Sequence, residues 1–286
     1  MSSSRNSRQV LTGATAAITV LAVLAVGAVS AAAQAPVPAQ RTPGPLPVQI
    51  TGATRVEYDE ATGVWRVEGA PVTVTRGQTV MRAQRGRFDE RARIVTVEGG
   101  VDVVEPGLSL RADAAELRLS DERIRARGNV RLVSTREGQS ATLVAPEAEG
   151  SLATRRFAAT GGVSITRGEW TVTGRRVDYD DTDQVAVISG DPEVRFKDGV
   201  MTAETVTVWV AKEQARGEGT IRLRRGDLTG SGRRVDMRLR EQLATLSGAA
   251  RVERGRDRLE AEEIEVELDR SRATARGAPR LTITPP

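Results

Sequence analysis

The chain has 286 residues, with 42 Lys or Arg against 38 Asp or Glu, and it contains neither cysteine nor histidine. That removes disulfides, Cys/His zinc sites, thiol nucleophiles and the imidazole most used for acid–base work near neutral pH, so most enzyme classes lose their usual groups. Aromatic residues make up 3% and charged residues 28%, so a core must be built from Val, Leu, Ile and Ala beneath a well-solvated surface.

The formal charge of +4 rests almost wholly on arginine, Lys197 and Lys212 being the only lysines. Arginine can fork onto phosphate, but here it is scattered among Asp and Glu, with no basic stripe and no interleaved aromatics. Nucleic acid is therefore not an expected partner.

In chain order, Arg5 and Arg8 precede an uncharged apolar stretch from Val10 to Ala33 that ends in Ala31-Ala32-Ala33. Residues 1–33 read as a signal peptide or as a retained N-terminal membrane anchor, and either makes this an exported protein of the periplasm. Residues 34–47 carry Pro36, Pro38, Pro43, Pro45 and Pro47, the composition of an extended linker. The folded region is then 48–286.

That region is a repeat. Glycine followed by alternating apolar residues recurs at Gly99, Gly128, Gly161, Gly190, Gly219, Gly248 and Gly277, at steps of 29, 33, 29, 29, 29 and 29 residues, with a first copy at Gly69. A second marker, Ala83, Ala112, Ala145, Gly174, Ala203, Gly232 and Ala261, keeps the same steps. Both share the one longer step, which Ser134 to Ser140 explains as a lengthened hairpin loop.

Within each unit the apolar period is two, the period of a strand. The pattern slips once per strand, as at Asp113-Ala114 in Leu108 to Leu119, which marks a bulge or sharp bend. The companion strand bends at its glycine. Each repeat thus predicts a hairpin of two long strands creased near their midpoints and joined by turns such as Glu105-Pro106-Gly107 and Ser120-Asp121-Glu122. Stacked creases fold the meander over itself into an all-β, repeat-built antiparallel jelly roll, open like a taco, with about 29 residues per repeat. A right-handed parallel β-helix with one coil per repeat is the alternative.

Gly128-Asn129-Val130-Arg131-Leu132, Leu110-Arg111-Ala112-Asp113-Ala114-Ala115-Glu116-Leu117 and Ala203-Glu204-Thr205-Val206-Thr207-Val208 resemble the repeats of the OstA-like, LptA/LptC-type family of lipopolysaccharide-transport proteins, over roughly Val64 to Ile283. The resemblance implies a periplasmic jelly roll that holds lipopolysaccharide or a related glycolipid between its half-sheets, as a bridge from inner to outer membrane. It also implies pairing with other jelly-roll proteins through edge strands and head-to-tail assembly, including of the chain with itself. A membrane-anchored coupling subunit of the export transporter and a ligand-free structural β-solenoid are the alternatives.

The groove-lining candidates are the inward apolar residues Val130, Leu132, Val163, Ile165, Val194, Phe196, Val206, Val208, Ile221 and Leu223. In a trough held open they contact lipid; in a sealed sandwich they are core. The acids Asp113, Glu147, Glu204 and Glu262, replaced by Arg175 and Arg233 in two copies, recur once per repeat, which fits a structural role rather than a catalytic or metal site built once. Asp178 to Asp183 lacks the glycine and distal glutamate of a calcium loop and reads as a hairpin turn. Trp65, Trp170 and Trp209 are isolated at strand positions, where core packing is the default. No catalytic residue, metal ligand or cofactor is expected.

Overall fold

The structure is a computed structural model that describes residues 49–284 apart from 77, 137, 138, 152 and 269–271. The N-terminal segment 1–33 and the linker 34–47 lie outside the described residues. Among those described there are nineteen strands and no helix. Two compact units divide between Phe157 and Ala158.

The first unit holds β1 (Gln49–Asp59), β2 (Val64–Arg76), β3 (Thr79–Asp89), β4 (Ile94–Glu105), β5 (Leu108–Arg118), β6 (Arg123–Arg136) and β7 (Gln139–Ser151), and β8 (Arg156–Arg167) begins at the boundary. The second holds β9 (Trp170–Asp180), β10 (Val185–Ser189), β11 (Glu193–Phe196), β12 (Gly199–Thr202), β13 (Thr205–Trp209), β14 (Gln214–Arg225), β15 (Leu228–Arg238), β16 (Leu243–Arg254), β17 (Asp257–Glu267), β18 (Arg272–Arg276) and β19 (Arg280–Thr282). The pairings from β1 through β7, and those from β9 through β19, are all antiparallel. That settles the architecture as a creased meander and excludes the parallel β-helix, whose coils would pair in parallel.

The crease has a definite backbone origin. Between β4 and β5 the register runs to Glu98↔Ala114 and resumes at Val101↔Ala112, so Gly99 and Gly100 stand opposite Asp113 alone. Two residues against one is a bulge, and it bends the strand. Both glycines are left-handed, at φ +83° and +81°. The same left-handed pair recurs at Gly128-Asn129, Gly161-Gly162, Gly190-Asp191, Gly248-Ala249 and Gly277-Ala278. Gly, Asn and Asp tolerate this conformation best, which explains most of the second positions. Because one strand gains a residue where its neighbour slips, the inward face stays inward on both sides of the bend.

A side chain from the preceding strand lies over most crease glycines. These are the recurrent residues after the small marker: a Cβ on Gly128 would collide with the Asp113 carboxylate, one on Gly219 with Glu204, one on Gly248 with Arg233 and one on Gly277 with Glu262. Several then bond to the residue beyond the glycine. Asn129 Nδ2 donates to Asp113 Oδ2 at 2.9 Å, Arg175 Nη2 to Asp191 Oδ2 at 2.7 Å, and the Thr220 amide and hydroxyl to Glu204 Oε1 at 3.2 Å. Their repetition therefore latches one crease to the next across the outer surface.

Proline two residues after the glycine divides the strand in two copies, although β2 runs through Pro71. Pro192 separates β10 from β11 and Pro279 separates β18 from β19, since proline has no N–H to give the ladder. The expected long loop at Ser134 to Ser140 is a correction: β6 and β7 remain paired through Ser134↔Ala141, Thr135↔Ser140 and Arg136↔Gln139. The inserted residues extend the hairpin arms instead. A polar sequence imitates a loop here because a hairpin tip that projects from the sheet has water on both faces.

At the opposite hairpin ends the turns close on a left-handed residue, Gly63, Arg93, Glu122, Arg155, Gln184, Glu213 and Gln242. Carbonyls of several such residues accept an amide from the next turn, as Arg93 does from Leu119 at 2.8 Å and Gln242 from Leu268 at 2.7 Å. Asp89 Oδ1 accepts the Ala92 amide at 2.9 Å, and Asp59 accepts that of Thr62 at 3.3 Å. Asp178 to Asp183 is a turn of this type, with Asp180 Oδ1 accepting the amides of Thr182 and Asp183 and Asp178 bound to Arg176.

Two outcomes follow from this geometry. Gly128→Ala incurs both the left-handed backbone cost of about 1–2 kcal/mol and the collision with Asp113, whereas Gly100→Ala, which meets nothing within 4 Å, incurs the backbone cost alone; denaturant melts should rank Gly128→Ala as clearly the less stable. The Ala92 amide holds the Asp89 carboxyl below the usual carboxylate range, with Arg87 adding to the effect. A depressed folded-state value means that this contribution is complete above the unfolded value of about 3.9 and is lost as pH falls through the lower folded value. Exchange protection of the Ala92 amide should therefore drop in acid in the wild type and stay level in Asp89→Asn, which keeps the acceptor but does not titrate.

Candidate functional site

Cross-strand register assembles the inward side chains into continuous rows. On one half-sheet of the first unit, Val74, Met81, Val103, Leu110, Leu132 and Leu143 are successive partners across β2 to β7. On the other half, Trp65, Phe88, Val95, Leu117 and Ile124 form a second row. In the second unit one half-sheet carries Val172, Val194, Met201, Leu223, Gly230, Val252 and Leu259. The other carries Val177, Ile188, Val206, Gly217, Val235, Leu246 and Ile264. Rows of this kind arise because the strand period is two and each crease preserves the inward side.

The two halves of the second unit meet across the interior. A Cβ placed on Gly230 would sit 2.9 Å from Leu246 Cδ1, although these residues belong to opposite half-sheets. Gly217 is similarly faced by Ile221, whose Cδ1 would lie 3.2 Å from a Cβ there. The first unit differs at β3: Gly86 lies on the inward row between Val67 and Val97, and a Cβ there would meet nothing within 4 Å. This is open, apolar-walled space beside the half-buried Trp65, Phe88 and Val95.

The sequence candidates are all buried or half-buried, and those on β6 and β10 to β15 lie on inward rows. Val130, Val163, Val194, Phe196, Val206, Ile221 and Leu223 are buried, and Leu132, Ile165 and Val208 are half-buried. The register separates them, placing Val194, Phe196, Ile221 and Leu223 on one half-sheet and Val206 and Val208 on the facing one. Sequence reasoning did not single out Gly86, Phe88, Met81, Met201 or Leu246 for the interior. Extending the same alternation along both strands of every hairpin would have found all but the gap at Gly86, which depends on what faces it.

The tryptophans do not form one platform. Trp65 stacks on Tyr58 with centroids 4.4 Å apart and donates to Glu90 at 2.9 Å; Trp170 tilts against Phe196 at 5.3 Å; Trp209 lies under the Arg216 guanidinium at 5.4 Å. Partial burial and the adjacent Glu90 push the Tyr58 phenol above its ordinary value.

The outer face is polar. Arg82 and Arg111 flank Asp102, Arg216 and Arg234 flank Asp236, and Arg125 bonds Glu147, which holds that carboxyl below its ordinary range. Exposed pairs of this kind contribute little individually, but they keep charge away from the apolar rows. Among the described residues no group of His, Cys, Asp or Glu is arranged to hold a metal ion.

These features define a class: a creased β-jelly roll with an apolar interior and a polar outside. The family model described as LptA/(LptD N-terminal domain) LPS transport protein matches residues 82–214 and 145–272, together more than half of the chain. This chain belongs to that family of lipopolysaccharide-transport proteins. Among solved structures it is similar to LptH, the LptA-homologous periplasmic component of the lipopolysaccharide transport device of Pseudomonas aeruginosa, at 20% identity over 41% of this chain and 95% of that one, with a TM-score of 0.38. No curated protein matches.

The contrast between the two inward glycines gives a stability test. Gly230→Leu must displace Leu246 and should lose about 1–3 kcal/mol by overpacking, whereas Gly86→Leu enters empty space and should be neutral or mildly stabilising in urea melts.

Proposed function

We propose that this protein carries lipopolysaccharide or a related glycolipid through the periplasm by sheltering its acyl chains between the half-sheets, as a bridge between inner and outer membrane. The observation that carries the reading is the apolar lining of both half-sheets within each unit, with open space at Gly86 in the first. An acyl chain needs a long, dry, one-dimensional channel and few polar contacts, and shielding it from water is favourable in proportion to the apolar area covered. Val130, Leu132, Val163, Ile165, Val194, Phe196, Val206, Val208, Ile221 and Leu223 would then line the path. The half-buried Leu132, Ile165 and Val208 are the first to meet an incoming chain, and the buried ones become contacts as the halves part. On this reading the energy for transport is supplied by other proteins.

The sheet margins support pairing with related jelly rolls, in head-to-tail copies or mixed assemblies. Ile50, Val56 and Tyr58 of β1 continue the inward rows yet are 44%, 58% and 43% exposed, and Leu281 of β19 is 61% exposed. An edge strand with apolar residues left bare templates another strand and continues the lining across the joint. A retained N-terminal segment would instead make the chain a coupling subunit anchored beside the transporter, and N-terminal sequencing of the mature protein separates the two roles.

Native mass spectrometry of the full chain purified from a lipopolysaccharide-producing host tests the carrier reading. Wild type should retain glycolipid, and Gly86→Phe, which fills the gap without straining the backbone, should retain several-fold less while circular dichroism stays unchanged. A wild-type protein that is lipid-free and cannot be loaded in vitro overturns the proposal.

A further inference from the structure

The outer face of the second unit carries a feature that lipid carriage does not use. Ile221 and Leu223 point inward along β14, so the alternating Arg222 and Arg224 point outward. Register places Thr202 and Ser231 on either side of Arg222, and Thr229 beside Arg224. These residues, with Arg251, line a depression of about 500 Å³.

Charge within it is unbalanced. The lining includes Arg222, Arg224 and Arg251 against the single acid Glu253, a surplus of two positive charges. Arg251 is held by Glu260 at 2.6 Å, and Glu253 is drawn to Arg258 at 2.9 Å. On the other side Glu193 bonds Arg195. Among the described residues neither Arg222 nor Arg224 has an ion-pair partner, whereas the surrounding charges of the same face are matched. Two guanidinium groups two residues apart on one strand repel across roughly 7 Å, and an anion between them relieves that repulsion.

We propose that this depression binds a doubly charged oxyanion of the phosphate class. Arg222 and Arg224 would fork onto its oxygens, and the hydroxyls of Thr202, Ser231 and Thr229 would donate to those remaining. Guanidinium forks suit planar pairs of oxygens, and three neighbouring hydroxyls favour a tetrahedral anion with several acceptors over a lone carboxylate. The depression holds no aromatic side chain on which a base would stack, which argues against a nucleic-acid strand. The phosphate would belong to a soluble ester or to a lipid headgroup. This inference stands independently of what the apolar interior carries.

Inorganic phosphate titrated into the full chain at low ionic strength, followed by amide and arginine Nε shifts, tests it. Saturable shifts confined to Thr202, Arg222, Arg224, Thr229 and Ser231 are expected, with affinity falling about tenfold or more in Arg222→Gln/Arg224→Gln and unchanged in the remote Arg240→Gln. All three side chains are exposed, so melts of the variants should match wild type. Co-sedimentation with phosphatidylcholine vesicles, with and without phosphatidic acid, then assigns the source: binding of phosphate together with the acidic vesicles supports a headgroup, and phosphate alone supports a soluble ester. Shifts that do not saturate, or that persist in the double variant, overturn the site.

Discussion

The structure depends on a bend that costs backbone freedom and returns a two-faced sheet. At six of the described creases two consecutive residues adopt left-handed φ, at Gly219 the glycine alone does, and the strand there gains one residue over its neighbour. Without that pair the hairpins would continue as one broad twisted sheet, and its apolar side would have no partner to cover it. The glycine is required twice over, by its conformation and by the side chain of the preceding strand that occupies the space where a Cβ would stand. The latch from Asp113 to Asn129, and those at Arg175 and Glu204, carry the bend from repeat to repeat on the polar surface, where they do not compete with the interior.

Alternation then divides the labour of each strand. On β14 the sequence Ile221-Arg222-Leu223-Arg224 places one pair of residues against the facing half-sheet and the other against water. The two faces have opposite demands: an interior free of unpaired polar groups, and an exterior charged enough to keep the protein dispersed. The second unit has contacts such as Leu246 over Gly230, while the first leaves space at Gly86, so equivalent inward glycines differ in what faces them.

Much of this was legible in the sequence because the repeat wrote it seven times. The glycine and alanine markers located the creases, and period-two alternation selected ten lining candidates that the structure buries or half-buries, while Leu281 at the sheet margin stays exposed. What escaped was decided across strands. Asn129 and Asp191 look like ordinary polar residues until their φ values reveal why Asn or Asp stands there. The inserted stretch Ser134 to Ser140 reads as a loop because hydroxyls and charges dominate it, yet such residues pair well at a projecting tip. Gly86 and Gly230 occupy inward positions of the same kind, and only the atoms opposite distinguish a vacancy from a tight contact. The surplus of charge at Arg222 and Arg224 is likewise invisible until register shows which acids are already engaged.

The hairpin of β6 and β7 shows how such a protein can vary in size without losing its inside. Its insertion adds two residues to each arm, an even number, so Leu132 and Leu143 keep their facing while the tip moves outward. An odd insertion in either arm would turn every residue beyond it to the wrong side. Length changes in this architecture are therefore quantised: growth by pairs along a hairpin, or by whole repeats along the stack, leaves the lining continuous, and the family's proteins can be lengthened in either direction by duplication rather than by redesign.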